Sequence, residues 1–448
     1  MSFQMPASDT YRTELLEHFK NLIRINTSNP PGGELVAARY VADALAKEGL
    51  EPRIFESAAG RGNVWCRLPG NGPSRPLMLI AHLDVVPADP SEWKHPPFEA
   101  VEDGGFIYGR GTVDMKHMAA MSMMAMILLK RGGFKGNRDV ILCFTADEEA
   151  TGAYGAGWMV ENQPELLKAE YALGEVGGFT IETNGRRIYP IMTAEKGQTK
   201  IRVFAKGEGG HGSMPVTENA ISKLGIAAYR LSRSHLKVRI TDSASAFIKA
   251  LADVNGGVKG AGMKLLLQPR MTDFIIENLV KDPEQKRYLG AILHNTVTPT
   301  VIRAGDKDNV IPTGAEMILD GRYLPGASFD EFLDEVEEAL GTTVEMERPE
   351  VFGEPIEVPA NTPIFNAIKK TVENSDRGAV AVPFLVSGYT DSKHYSKLGI
   401  KTYGFTPVRL PPGLPFASLF HAADERIPVE GFVSGADLLL RLVSDFCG

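Results

Sequence analysis

The chain has 448 residues, of which 43% are hydrophobic and 23% charged, and its net charge is −8. The length exceeds one ordinary core and predicts two domains, or three. The composition is that of a globular protein, and the acidic balance argues against a nucleic-acid partner, which would leave a basic footprint. The opening MSFQMPASDTYRTELLEHFK has neither a basic start nor an apolar core, so no secretory signal is expected. The most apolar helical stretch, MAAMSMMAMILLK, is too short to span a bilayer, so no membrane partner is expected. Cys66, Cys143 and Cys447 are scattered and odd in number. They predict a cytoplasmic chain without structural disulfides, with Cys143 as a small buried hydrophobe.

In chain order, the apolar spacing predicts a helix from Asp9 to Ile25, with Ser8 or Asp9 as cap, and a second from Leu35 to Lys47. TSNPPGGE separates them. Strand-like runs follow in EPRIFES, GNVWCRL and PLMLIAHLD, then a helix from Met115 to Leu129 that stops at Gly132-Gly133. DVILCFTA is continuously apolar, as a central strand covered on both faces should be. The Met-rich helix between Met115 and Met126 reads as core packing rather than metal or redox chemistry.

The middle of the chain changes character. KGQTKIRVFAKG alternates, as a strand on a one-sided sheet does. A helix at 218–232 follows, then residues 234–294 with a less clear pattern, then TVTPTVIRAG, GAEMILDGRYL, a helix from Phe329 to Leu340, and TTVEMER. Without the long stretch the order is strand-helix-strand-strand-helix-strand, the split ferredoxin-like order. Helix 363–374, strands AVAVPFLVS and KTYGFTP, and a helix from Glu430 restore the α/β character. The expected architecture is an α/β domain, a central mixed sheet with helices on both faces, made of residues 1–193 and 351–448. An α+β domain of ferredoxin-like order, 194–350, is inserted in it and carries the extra segment 234–294.

Acids and histidines gather where apolar strands end. LMLIAHLD brings His82 and Asp84, GRGTVDMK brings Asp114, TADEEATG brings Glu148 and Glu149, YALGEVGG brings Glu175, and LFHAADERIP brings His421. Sites in open α/β sheets form beyond the carboxyl ends of strands. Histidine and carboxylate without cysteine is a ligand set for zinc or another divalent transition ion. The spacing of His82 and Asp84 lets the carboxylate accept the second ring N–H of the histidine and fix its tautomer. Each has a plainer reading alone: His82 as a satisfied histidine, Asp114 as a helix cap. Asp147, likewise, could cap a helix whose first turn holds both glutamates. Five segments together favour the metal reading.

These motifs, with GHGSMP, DNVIP and LDGRYLPG, run in order over nearly the whole chain. The chain therefore resembles the co-catalytic di-zinc amidohydrolases and peptidases: aminoacylase, acetylornithine deacetylase, succinyl-diaminopimelate desuccinylase, glutamate carboxypeptidase and carboxypeptidase S. That resemblance implies a catalytic domain with an inserted lid that also forms a homodimer. It implies two divalent ions, zinc first, with cobalt or manganese as alternatives. Asp114 would bridge them. His82 and Glu175 would complete one site, Glu149 and His421 the other. Glu148 would be the general base acting on a water that the ions share, and Asp84 would orient His82. The Asp114–Met115 peptide would be cis.

By the same resemblance His211, in GGHGSMP, would stabilise the oxyanion, supplied in dimeric members by the partner subunit. Asn309 and Arg322 would hold the substrate, the arginine gripping a carboxylate. A loop residue and a strand-surface cation are the plainer readings of His211 and Arg322. GEGGHG also fits a dinucleotide fingerprint, but no acid follows at the required distance and no βαβ unit surrounds it. SGYTDSKHYS departs from the family's glycine-rich GGTDA-type segment at Tyr389 and Ser392. The implied reaction is hydrolysis of an amide beside a free carboxylate, by an N-acyl-amino-acid deacylase or carboxypeptidase acting on a small amide or short peptide. The alternatives are a di- or tripeptidase, a specialised amidohydrolase of a non-peptide amide, and a non-catalytic binding protein.

Overall fold

The computed structural model describes residues 5–448. The first four residues of the N-terminal stretch read above lie outside the described residues. The chain divides into two compact units. One is Met1–Thr193 with Val358–Phe384 and Thr390–Gly448; the other is Ala194–Glu357 with Leu385–Tyr389. Among the described residues no helix is long and apolar enough to cross a membrane, and all three cysteines are free and buried.

The first unit is built on a mixed sheet. Its strands run in the order Arg53–Ala58, Arg61–Leu68, Arg138–Thr145, Ser74–His82, Tyr171–Gly174, Lys401–Gly404, Arg186–Glu195. Ser74–His82 lies parallel to both its neighbours, with His82 opposite Thr145 and Leu79 opposite Leu173, and Lys401–Gly404 continues the parallel set. Three parallel strands therefore end side by side, at His82, Thr145 and Gly174. The two faces of these strands are both buried, which explains their continuous apolar runs. Met78, Ile80, Ile141 and Cys143 pack with Met159 of helix Ala156–Asn162 and with Tyr395. Leu77, Leu79, Leu142 and Phe144, of opposite parity, are also fully buried. Helices Lys116–Arg131 and Val429–Cys447 both pack against these strands and each other. The methionines of Lys116–Arg131 are core residues, buried along nearly the whole helix.

The first helix begins at Arg12 rather than Asp9, after a short turn at Ser8–Thr10, and neither Ser8 nor Asp9 caps it. Asp114 does not cap the next long helix either. Met115 occupies the cap position without a side-chain bond, which leaves the Asp114 carboxylate available elsewhere.

The second unit has an antiparallel sheet in the order Thr296–Ala304, Gly314–Tyr323, Gly197–Lys206, Glu345–Met346. Numbered along the chain this is 2-3-1-4, the ferredoxin-like order. Gly197–Lys206 alternates buried and exposed residues along most of its length. Its inward side chains Ile201 and Val203 share a core with Leu224 of helix Ala220–Arg233 and with Phe332 and Val336 of helix Phe329–Leu340. The last helix starts with a complete capping box, Ser328 and Glu331. The stretch without clear pattern is helical: Asp242–Asn255, Gly257–Leu265, Pro269–Asn278 and Pro283–Leu293.

Candidate metal centre

The ends of the three parallel strands and two loops bring seven of the sequence-derived residues together in the first unit. Ligand atoms of His82, Asp114 and Glu175 lie within 4.8 Å of one another, and so do those of Asp114, Glu149 and His421. Asp114 belongs to both groups and divides its oxygens between them. Oδ1 is 2.9 Å from His82 Nε2, and Oδ2 is 3.1 Å from His421 Nε2. Glu175 Oε2 lies 3.5 Å from His82 Nε2, and Glu149 Oε2 lies 3.0 Å from His421 Nε2. The His421 side chain is 55% exposed while that of His82 is 1% exposed, so solvent reaches the centre from the His421 side. The Asp114–Met115 peptide is cis.

The backbone is unusual where these groups attach. Asp147, Val176 and His421 have φ of 71°, 59° and 61°. Non-glycine residues seldom adopt such angles, a β-branched one least of all. Beside Val176, the glycines of GEVGG are required by crowding. A Cβ on Gly177 would lie 2.4 Å from the Gly404 carbonyl oxygen, and Gly178, at φ 78°, donates its N–H to Pro190.

TADEEATG forms a tight turn rather than a helix start. The Asp147 carbonyl accepts the N–H groups of Ala150, Thr151 and Gly152, and helix Ala156–Asn162 begins only later. The Asp147 carboxylate is held by Arg61, Asn29, Thr151 and the Tyr154 N–H. Arg61 is itself clamped by both oxygens of Glu34. In this turn Glu149 points to His421, while Glu148 is buried within electrostatic reach of Glu175, His82 and Asp391.

Asp84 sits differently from the sequence expectation. The strand ends at His82, so the two residues do not share a pleated face. His82 Nδ1 lies 3.0 Å from the main-chain carbonyl of Asp84 and 3.5 Å from its carboxylate. The carbonyl is the nearer acceptor, and the carboxylate also interacts with the ring. The carboxylate accepts the N–H groups of Glu148 and Glu149, each at 3.1 Å, and the Asn29 amide at 2.9 Å. Asp84 therefore anchors the turn that carries both glutamates.

Glu425, four residues after His421, was not singled out by its sequence. It is fully buried. Its carboxylate accepts the N–H groups of Gly111, Val113 and Asp114 and the Arg110 guanidinium. One loop thus delivers His421 and also grips the segment that carries Asp114. Asn29, Arg61 and Glu34 escaped notice too, because their partners are far away in the chain.

The electrostatics describe a site short of positive charge. Burial pushes the Glu148 carboxyl well above its usual range, with Glu175 adding to the effect, and raises Glu175 to about 7. Burial, then Asp114, raises Glu149. His421 is pushed up to about 10 by its bonds to Asp114 and Glu149. Burial works against a charged His82, yet its carboxylate neighbours, Asp114 first, outweigh this and raise it. Glu149 Oε1 is buried without a hydrogen-bond partner. Nitrogen and carboxylate donors, an orphaned oxygen and crowded acids fit two divalent cations, whose charge would keep the carboxylates ionised.

The other three sequence-derived residues belong to the second unit. His211 is exposed and pairs with Val310 across a two-stranded ribbon. In the same ribbon, the Gly212 N–H donates to the Asn309 carbonyl at 2.9 Å. His211 Nδ1 accepts the Ser213 N–H at 3.2 Å, which leaves the ring proton on Nε2. The Arg322 guanidinium is paired with Asp320 through Nε and Nη2 and covered by the Tyr389 ring at 5.3 Å. Its Nη1 is buried without a partner.

A family model described as peptidase family M20/M25/M40 matches residues 78–445. The chain is similar to an N-fatty-acyl-amino acid synthase/hydrolase of Xenopus tropicalis, 28% identical over 97% of this chain and 86% of that one. It is similar to aminoacylase-1 of Homo sapiens, 26% identical over 95% of this chain and 93% of that one. Its fold is similar to that of an M20 family metallo-carboxypeptidase from Sulfolobus solfataricus. The TM-score is 0.69 at 18% identity, covering 97% of this chain and 99% of that chain.

Proposed function

Because the chain belongs to peptidase family M20/M25/M40, and is thereby a metal-dependent hydrolase, we propose that it cleaves an amide bond beside a free carboxylate, as an N-acyl-amino-acid deacylase or a carboxypeptidase. The observation that carries this reading is the pair of ligand groups sharing Asp114. The relatives named for hydrolysis of N-acyl amino acids support the deacylase form.

His82, Glu175 and Asp114 would hold one ion; Glu149, His421 and the other oxygen of Asp114 would hold the second. We take zinc as the native metal, with cobalt or manganese as alternatives, from the mixed nitrogen and oxygen donors. Such a pair, when bound, supplies Lewis-acid polarisation of a carbonyl and lowers the pKa of water. Glu148, whose pKa is raised by burial, removes a proton from the attacking water and hands it to the leaving nitrogen. Asp84 keeps Glu148 in place through the N–H bonds of the turn. His211 donates Nε2–H to the oxyanion of the substrate. Arg322 offers Nη1 to the substrate carboxylate, and Asn309 assists from the ribbon that carries His211.

We assign the discontinuous unit as catalytic and the inserted unit as a lid that also dimerises. Strand Thr296–Ala304 is an edge strand with Val301 and Ile302 exposed, and helix Ala220–Arg233 exposes Ile221, Ile226 and Tyr229. An open edge and an apolar helix face favour pairing with a second copy. Three free, buried cysteines support a reducing, cytoplasmic setting.

The test is a panel of N-acyl amino acids set against dipeptides with a free amine, each with zinc, cobalt or manganese. Turnover of the acylated substrates is expected. Cleavage of free dipeptides alone would replace the deacylase reading by a peptidase one.

A further inference from the structure

The segment between the first helix and second strand of the inserted unit leaves large apolar side chains uncovered. Val258, Leu265, Met271, Phe274 and Leu279 are all exposed, Val258 at 92% and Leu279 at 62%. They come from helices Gly257–Leu265 and Pro269–Asn278 and the residue after the second. In Pro269–Asn278 the division is clean: Thr272, Ile275 and Ile276 are buried while Met271 and Phe274, three residues apart, are exposed. The exposed face is therefore a second apolar face, additional to the one that holds the helix in the fold.

Charge indicates what covers it. Residues 234–294 carry nine Lys or Arg and six Asp or Glu in a chain whose net charge is −8. Lys259, Arg270 and Lys281 are exposed among the apolar residues, while Lys264 pairs with Asp253 at 2.8 Å. The two acids between them are already engaged, Asp273 with His294 and Glu277 with Lys286. A two-fold contact with another copy would set this net-positive face against itself. Exposed apolar side chains interleaved with cations suit the boundary of an anionic bilayer, where the first enter the acyl region and the second meet headgroups. We infer that this helical segment is a peripheral contact for an anionic lipid surface, independent of the reaction proposed above. Such a contact needs no membrane-spanning helix.

The experiment is co-sedimentation of the full chain with vesicles of phosphatidylcholine, and of phosphatidylcholine with phosphatidylglycerol. Binding is expected to the second kind and to weaken as salt rises. Phe274→Ser with Leu279→Ser should weaken partition by about tenfold or more, with the unfolding midpoint retained. Lys259→Glu with Arg270→Glu, which leaves every apolar residue in place, should remove the preference for the anionic vesicles. Absence of binding to either vesicle would overturn the inference. So would unchanged binding by the serine variant, or conversion of a dimer to a monomer by that variant without any vesicle binding.

Discussion

Glu425→Gln probes how the metal centre is held. Each oxygen of Glu425 takes two donors: Oε1 takes the N–H groups of Val113 (2.6 Å) and Asp114 (3.1 Å), and Oε2 those of Gly111 (3.0 Å) and the Arg110 guanidinium (2.7 Å). With four donors there is no place for a proton, so the group is a carboxylate. An amide at this position must turn its NH2 toward two donors, whichever way it faces. It also takes the counter-charge from Arg110, which is only 3% exposed. Breaking a buried ion pair from one side costs about 3–5 kcal/mol. Arg110 keeps the His421 carbonyl at 3.2 Å and the Trp93 ring at 5.2 Å, so the lower end, about 3 kcal/mol, is expected. At about 2–4 °C per kcal/mol for a large domain, the melting temperature of the metal-free protein should fall by about 6–12 °C. Asp114 and His421 lose their common anchor, so metal per chain should fall as well. Calorimetry in chelator and metal analysis after dialysis read the two effects. A melting temperature within about 2 °C of the parent would refute the reasoning.

Other substitutions separate the roles. Glu148→Gln should keep the full metal content and lower kcat by about 10²–10⁴-fold; unchanged turnover would remove Glu148 as the base. Glu149→Ala should instead lower the metal bound per chain, and full occupancy by metal analysis would contradict its place as a ligand. Arg322→Ala should raise KM for substrates with a free carboxylate by about 10–100-fold with little change in kcat; the opposite split would exclude ground-state capture of the carboxylate. His394 has Nδ1 buried without a partner, and burial, then Lys393, pulls its pKa down to about 4. Histidine in the unfolded chain titrates near 6.5. Between about 4 and 6.5 the native state binds fewer protons, so stability present above that window is lost as pH falls through it. His394→Gln should make this acid limb shallower by on the order of 2 kcal/mol, measured by denaturant unfolding in chelator at pH 7 and pH 4. Parallel limbs would show that His394 does not cause the loss.

The parts of the fold that were legible in the sequence rest on local signals. Helix Phe329–Leu340 begins and ends where the sequence pattern puts it, and the structure caps its start with Ser328 and Glu331. The strands ending at His82, Thr145 and Gly174 are apolar because both their faces are buried, and polar residues appear where that burial stops. The inserted helices were harder to read. Gly256-Gly257, Pro269 and Pro283 cut their apolar pattern into short pieces, and Gly257–Leu265 buries almost nothing. Strand Arg186–Glu195 is hard to read from its sequence: it contains Pro190, and proline argues against a strand. The residues that hold the centre together were the least visible. Glu425 reaches back to Gly111, and Asn29 joins Asp84 to Asp147. No spacing rule anticipates bonds across such distances. Asp84 shows the same limit: its separation from His82 suggests a carboxylate partner, and the end of the strand adds its carbonyl as the nearer one.

The division of Asp114 between two groups also sets an order in time. His82, Asp114 and Glu175 all precede the inserted residues, whereas His421 and Glu425 follow them. During synthesis, N-terminal parts of a chain fold first. The first ligand group is therefore complete as a set before the inserted unit exists, while the second waits for one of the last segments made. Glu425 arrives with His421, so the anchor of Asp114 comes at the same moment as the last residue of the second group. On the proposed roles, the residues of the first group would be present before the unit carrying His211 and Arg322 is translated, and a two-ion centre would form only after it.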